Sequence, residues 1–464
     1  GVSVTVIDAD AKRVITDAGK FRYDTLIYAL GGRSVWPEID GLRDSTNVST
    51  LRDLADLKKI ERSLDKGTGR VVILGGGFYG VEAADCLSRA GRLVTLIERG
   101  DRLLPDFSGA AAYRAEYALR AAGVDVRLGA DVVSVRKKGK RIQGVELSSG
   151  SKIATELVLV TAGVAPRTEL LKAAGGKLHP NGAAKIDARC QTTLPDVYAT
   201  SIAVAHKHAV TGKATWTGQA ADADKSAQVA GENAAGGDVK LGPTLGTAIV
   251  RAGVLTLART GHLDPDAQVT TVSGRSKDPF FPRHGPLTVR LYSNDAGRLL
   301  GAEVVRTDGV DKRVDALATA ILGKLKVAQL AALDLPYSPS FGTVRDVVNA
   351  AARVASRGDK PIRPWTAQQL EVPPDGVLVV DVRSAADRSE GFTASHHIKQ
   401  KVLLMPLAKV GDRIKDLRGN KHVVFVCDSG REAYLAARLA LSARIKNPGY
   451  LAGGLRLFGP ELHR

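Results

Sequence analysis

The chain of 464 residues is too long for one hydrophobic core and long enough for about three or four domains, and its 44% hydrophobic content is that of a globular protein. No apolar run approaches the ~20 residues that cross a bilayer, and Cys86, Cys190 and Cys427 are too few for a disulfide framework, so the composition reads as a soluble, cytoplasmic protein of a reducing compartment. The 66 Lys and Arg against 49 Asp and Glu give a formal charge of +17 that attracts polyanions, yet the basic residues are scattered, so a nucleic-acid role is disfavoured without being excluded.

In chain order, Val2, Val4 and Val6 alternate as a strand, a hairpin-like segment runs through Lys12 to Tyr23, and Leu26 to Leu30 forms an apolar strand ending in Gly31-Gly32. Residues 47–66 predict a charge-rich helix that closes at Gly67. Val71 to Leu74 are a continuous apolar run suited to a parallel strand, Gly75, Gly77 and Gly80 follow at G-x-G-x-x-G spacing, Gly80 to Arg89 predicts a helix, and Leu93 to Ile97 predicts a second strand ending in Glu98. This is a complete βαβ unit for a dinucleotide: the backbone of Gly75, Gly76, Gly77, Phe78, Tyr79 and Gly80 approaches a pyrophosphate at the helix start, and Glu98 accepts the ribose 2′-OH. A carboxylate there repels a 2′-phosphate and favours NAD(H), a preference that Arg99 beside it weakens.

Further on, Ala110 to Ala121 predicts a helix, Asn294 to Gly297 a hairpin turn and Arg313 to Leu325 an amphipathic helix. Near the end, Cys427 lies directly between an apolar strand and a helix. There the N–H groups of Asp428 to Glu432 and the helix N-terminus are expected to lower its thiol pKa and cradle a thiolate or persulfide, with Ser429 in the loop, Gly430 permitting the turn and Arg431 holding an anionic donor. Cys86 and Cys190 read as core residues. His206 with His208 and His396 with His397 lack acidic or thiol partners at ligand spacing, so no metal site is assigned.

The phrases YDTLIYALGGRSVWPEIDGL and VVILGGGFYGVEAADCL, followed by ELVLVTAGVAPRTELL, resemble the FAD-dependent pyridine nucleotide-disulfide oxidoreductases, in their coenzyme A disulfide reductase-like branch. The stretches VLVVDVRSAADRSEGF, KHVVFVCDSGREAYLAARLALSARI and GYLAGGLRLF resemble a rhodanese domain. The implied fold class is α/β: a two-dinucleotide-binding-domain, Rossmann-like flavoprotein reductase with an α+β dimerisation domain and a C-terminal rhodanese-like α/β domain. The implied boundaries are 1–66 and 164–240 for the two parts of the FAD domain, 67–163 for the NAD(H) domain, 241–358 for dimerisation, 359–374 for a linker and 375–464 for the rhodanese-like domain.

The resemblance implies that Glu82 and Gly163 lie at the nicotinamide–flavin interface, that Gly31 and Ser201 belong to the FAD site, and that Tyr337 reaches a partner subunit's redox site. It implies NAD(H) and FAD as cofactors, coenzyme A as a further ligand, a homodimer through 241–358, and a CoA disulfide, persulfide or polysulfide as substrate, with Cys427 passing sulfur to or from that centre. The chain also departs from the pattern. The family's first ~70 to 80 residues, with another G-x-G-x-x-G and the redox cysteine, have no counterpart, and a chain opening on Gly1 whose one methionine is Met405 reads as a processed product or fragment. Ile202 stands where an aspartate binds flavin, Phe341 where a tyrosine stands, and Asp428 and Glu432 add negative charge beside Cys427. Two other readings follow: a degenerate, non-catalytic scaffold or anion-binding subunit of a larger assembly, and a chain in which the rhodanese part alone works.

Overall fold

The computed structural model describes residues 1–64, 69–282, 285–357, 362–371, 373–390, 398 and 401–455. The chain divides into two compact units, one of Gly1–Gly80, Thr95–Arg99 and Ala130–Gly246, the other of Val81–Val94, Gly100–Gly129 and Thr247–Arg464.

In the first unit the strand Leu157–Val160 is buried along its whole length and runs parallel between Val48–Thr50 and Arg70–Leu74, with Val158 opposite both Val48 and Val72. A strand flanked on both sides and covered on both faces has no polar side to show, which is why LVLV and VVIL read as unbroken apolar runs. An antiparallel meander, Val132–Lys138, Arg141–Leu147 and Lys152–Ala154, packs Val132, Ile142, Val145 and Leu147 against Val72, Leu74, Val158 and Val160. Fully buried Asn47 stitches these layers: its amide donates to the carbonyls of Ile142 (2.8 Å) and Glu156 (2.7 Å) and accepts the Ile142 N–H at 2.8 Å.

Two segments far apart in sequence meet in the same unit. Leu26–Tyr28 pairs in parallel with Val197–Ala199, and Gly32–Ser34 pairs antiparallel with Val164–Pro166. The opening strands Val4–Asp8, Arg13–Thr16 and Gly19–Arg22 form an antiparallel sheet; the expected alternation of Val2, Val4 and Val6 does not bury one face, since residues 1–6 are all exposed, while Ile7 enters the core with Tyr28, Val197 and Ala199.

The second unit holds a five-stranded antiparallel sheet in the order Ala248–Ala252, Leu255–Gly261, Leu299–Arg306, Pro286–Ser293, Gln268–Arg275. The helices Asp311–Leu322 and Val347–Arg357 lie with it, joined by a buried ion pair in which Arg313 Nη2 meets Asp346 Oδ2 at 2.7 Å. The same unit contains a parallel sheet in the order Arg363–Trp365, Pro448–Leu451, His422–Val426, Val377–Asp381, Val402–Leu404. Arg363–Trp365 falls in the expected linker 359–374 but is an edge strand of that sheet, where Pro364 is tolerated and Trp365 is 2% exposed. Among the described residues no helix is long and apolar enough to cross a membrane. His396 and His397 lie outside the described residues.

Replacing Asn47 by Ala strands two carbonyls and one N–H in the interior. Asn47→Ala is expected to lower unfolding free energy by about 1–3 kcal/mol, seen as a lower urea midpoint with an unchanged slope.

Candidate functional site

The glycine loop after Arg70–Leu74 is fixed by close backbone approach. Gly75 has φ +111 and donates its N–H to Ile97 O at 2.8 Å, and a Cβ on it would lie 2.6 Å from Thr161 O. A Cβ on Gly80 would collide with Gly75 O, so the third glycine is required for the turn to close. At Gly77 a Cβ would meet nothing within 4 Å, so the loop opens to space on that side. Glu98 Oε2 accepts the Gly76 N–H at 2.6 Å, which fixes the carboxylate against the loop, while Arg99 is exposed beside it. Phe78 is half-buried and Tyr79 47% exposed. The residues present therefore fit a nicotinamide dinucleotide: backbone N–H groups for the pyrophosphate and a carboxylate for the ribose.

Elsewhere in that unit, a Cβ on Gly31 (φ +66) would lie 3.5 Å from Ser201 Oγ, so these two expected FAD residues are neighbours. Ser201 holds φ +70, a conformation natural to glycine that costs an L-residue about 1–2 kcal/mol. Buried Ile202 packs its Cδ1 against Gly32, where a Cβ would be 2.7 Å away, and its carbonyl accepts Trp216 Nε1–H at 2.8 Å. Backbone shape and the Ser201 hydroxyl fit a flavin dinucleotide here; Ile202 adds no acceptor. Gly163 (φ +126) accepts the Val35 N–H at 2.9 Å.

In the second unit Glu82 is exposed, and its carboxylate accepts the Arg251 N–H; crowding by protein raises its pKa above the ordinary carboxylate value despite that bond. Tyr337 is exposed and donates its hydroxyl to Asp278 Oδ2 at 3.0 Å. Phe341, for which a packed aromatic was one reading, is 68% exposed. Cys86 is exposed as well, contrary to the expected core position. On the helix Phe78–Arg89 the buried side chains are Val81, Ala83, Ala84 and Asp85, and Cys86 shares the exposed stripe with Glu82 and Arg89. Cys190 is buried, and burial pushes its thiol up to about 12.

Cys427 ends the buried strand His422–Val426 and precedes the helix Arg431–Ser442. Its Sγ accepts the Ala433 N–H at 3.3 Å, and its carbonyl accepts the Leu455 N–H at 2.8 Å. Two glycines shape the loop from opposite sides. Gly430 (φ +83) would place a Cβ 2.9 Å from Leu451 O, and Gly454 (φ +78) would place one 2.5 Å from Ser429 N. Sequence reasoning passed over Gly454 although the AGG stretch signals it.

The expected fall in the Cys427 pKa is reversed. Burial raises it, the N–H groups of Ala433, Ser429 and Gly430 pull it down without prevailing, and Glu432 adds to the rise. The Asp428 carboxylate is paired with Arg383: Nη1 meets Asp428 Oδ1 at 2.8 Å while Nη2 meets Asp381 Oδ2 at 2.8 Å, with Arg383 only 1% exposed. Ser429 is half-buried and Arg431 exposed beside the loop. His208 serves a turn, its Nδ1 accepting the N–H groups of Val210 (3.2 Å) and Thr211 (3.3 Å). Among the described residues no group of His, Cys, Asp and Glu forms a metal cage.

The family model for pyridine nucleotide-disulphide oxidoreductases matches residues 1–212, and that for the rhodanese-like domain matches residues 365–459. The CoA-dependent NAD(P)H sulfur oxidoreductase of Pyrococcus furiosus is 29% identical over 344 residues, 72% of this chain and 77% of the relative. The crystal structure of reduced Bacillus anthracis CoADR-RHD, 27% identical, superposes with a TM-score of 0.89 over 98% of this chain and 84% of that one. The NAD-dependent persulfide reductase of A. fulgidus, also 27% identical, gives 0.90 over 98% and 85%. Residues 1–212 are thus similar to the pyridine nucleotide-disulphide oxidoreductases, an FAD- and NAD(P)H-binding family, and residues 365–459 to a rhodanese-like domain.

Proposed function

We propose that this protein is an NADH-dependent flavoprotein that reduces CoA disulfide, persulfide or polysulfide, and that its rhodanese-like domain carries sulfane sulfur on Cys427. The observation that carries the reading is the loop Gly75–Gly80, open at Gly77 and held against the Glu98 carboxylate. In this reading the loop amides bind the NADH pyrophosphate, Glu98 accepts the ribose hydroxyl and disfavours a 2′-phosphate, and the segment 67–163 is the NAD(H) domain. FAD, when bound, supplies a two-electron carrier between nicotinamide and sulfur. Gly31 and Ser201 in 1–66 and 164–240 contribute to holding it, and Gly163 and Glu82 border the nicotinamide.

Cys427 takes the outer sulfur of a donor as its thiolate, and the N–H groups of Ser429, Gly430 and Ala433 hold the resulting persulfide. Arg431 steers anionic donors toward the loop. The residues 241–358 join two copies. Phe280, Phe341 and Val344 there are 73%, 68% and 78% exposed, the Asp278 N–H to Pro339 O bond of 3.2 Å draws their segments together, and Tyr337 lies in the same patch. An apolar patch of this kind marks an interface. The protein works inside the cell, where thiols and reduced nicotinamide are maintained. A non-catalytic scaffold gains nothing from the relatives.

The test is anaerobic titration of the full-length, FAD-loaded protein with NADH. Bleaching of the flavin band and NADH oxidation on adding CoA disulfide or polysulfide are expected, and a flavin left oxidised by excess NADH overturns the reading. Glu98→Gln removes a charge-assisted bond of about 1.5–3 kcal/mol and is expected to raise the KM for NADH about ten- to hundredfold, with less discrimination against NADPH.

Cys427→Ser is expected to abolish sulfur transfer to cyanide while leaving flavin reduction by NADH intact. Because burial raises the Cys427 pKa, the thiolate fraction grows through and beyond the ordinary thiol range. Sulfur transfer is therefore expected to climb with pH past the point where an exposed cysteine levels off, in a pH profile of thiocyanate release.

A further inference from the structure

A cradle of N–H donors suits a negative sulfur, yet among the described residues the surroundings of Cys427 carry four carboxylates, those of Asp381, Asp387, Asp428 and Glu432. Three of them are committed. Asp428 is locked to Arg383, which it shares with Asp381, and Asp387 accepts the Ser384 hydroxyl at 2.5 Å from the helix Ala385–Glu390. The fourth, Glu432, makes no hydrogen bond or ion pair with the described residues and sits in the first turn of the helix Arg431–Ser442, directly before Ala433, whose N–H meets Sγ at 3.3 Å. Its carboxyl is held up by desolvation and by Asp387 and Asp428, with Arg431 pulling the other way, and its charge in turn raises the Cys427 thiol. Arg388 is turned to the Arg383 carbonyl at 2.7 Å. The one carboxylate without a fixed partner is therefore the one adjoining the nucleophile.

We propose that Glu432 is a specificity-determining residue that makes Cys427 accept sulfane sulfur from donors of low negative charge, protonated hydropersulfides above all, and reject dianions such as thiosulfate. The proposal rests on the reading of Cys427 as a sulfur carrier. With thiosulfate, the Cys427 thiolate attacks the outer sulfur, an Sγ–S bond forms, the S–S bond to the sulfonate breaks and its electron pair leaves with sulfite. Three negative charges share the transition state beside Glu432. With a hydropersulfide RSSH, the same attack forms the Sγ–S bond and expels RS⁻, which takes the proton of the transferred SH, leaving the Cys427 persulfide anion and RSH. A single negative charge is present throughout. Repulsion by Glu432 thus grows with donor charge.

The test compares the full chain with its Glu432→Gln variant, which keeps shape and removes charge, by following persulfide loading of Cys427 with intact mass. The donors are thiosulfate, a dianion, and an alkyl hydropersulfide released in situ, whose charge is never more than one and falls to zero on protonation. Glu432→Gln is expected to speed loading from thiosulfate about tenfold at pH 8 and at low salt, far more than loading from the hydropersulfide, and Glu432→Asp to keep the parent pattern. The sign with pH follows from the raised carboxyl pKa. The parent Glu432 loses its charge as pH falls through that value, so the thiosulfate advantage of the variant is largest at high pH and shrinks toward acid.

Equal gains with both donors, or none with thiosulfate, overturn the proposal. If the parent chain loads from neither donor, the sulfur-carrier reading has failed, and the charge effect is decided by alkylating Cys427 with iodoacetate and iodoacetamide. The variant is then expected to raise the iodoacetate rate relative to iodoacetamide, and an unchanged ratio overturns the role of Glu432.

Discussion

The dinucleotide site depends on a contact that forbids a side chain. A methyl group on Gly80 would occupy the space of the Gly75 carbonyl, and one on Gly75 would press into Thr161 O. Strand, turn and helix start can approach so closely only with hydrogen at those positions. The consequence reaches to Glu98, because the Gly76 N–H that this turn presents is the group that pins its carboxylate. The proposed contacts to ribose and pyrophosphate would share one geometry, since the turn that exposes the amides also orients the acid.

The cysteine loop uses the same device with a different filling. Gly430 and Gly454 bring two backbone stretches into contact around Asp428 and Ser429, and Arg383 ties Asp428 to Asp381 from within the core. Breaking either bond leaves a nearly buried guanidinium short of a partner, a heavier penalty than loss of an exposed pair. The DVR triplet is thus a brace for the loop, reaching it through the residue after the nucleophile. Asp428 looked in the sequence like an added repulsion. In the structure it is an anchor.

What was legible in the sequence follows from periodicity and glycine spacing. VVIL and LVLV announce strands buried on both faces, and G-x-G-x-x-G with Glu98 announces its own closure, since these signals are local. Cys86 was misplaced because helix Phe78–Arg89 buries Val81, Ala83, Ala84 and Asp85 and leaves outside the narrow stripe of Glu82, Cys86 and Arg89. A charged residue thereby goes inward at 1% exposure and a thiol outward, with Arg89 pairing Asp85 at 2.8 Å. Composition alone ranks those two residues the other way. The first strand's valines were equally misleading, because residues 1–6 are exposed on both faces and the strand enters the core only at Ile7. The pairing of Arg383 with Asp428, forty-five positions apart, left no local mark.

The Cys427 pKa shows why a list of favourable groups does not settle a direction. The loop donates N–H groups toward Sγ, and a helix begins a few residues later, so counting partners predicts a reactive thiolate. Sγ is also removed from water, and desolvation penalises the charged form more than these dipoles reward it. The resting cysteine is therefore a protected thiol. In the proposed sulfur transfer the thiolate must therefore form against that burial before it can attack, and the Glu432 charge adds to the same opposition.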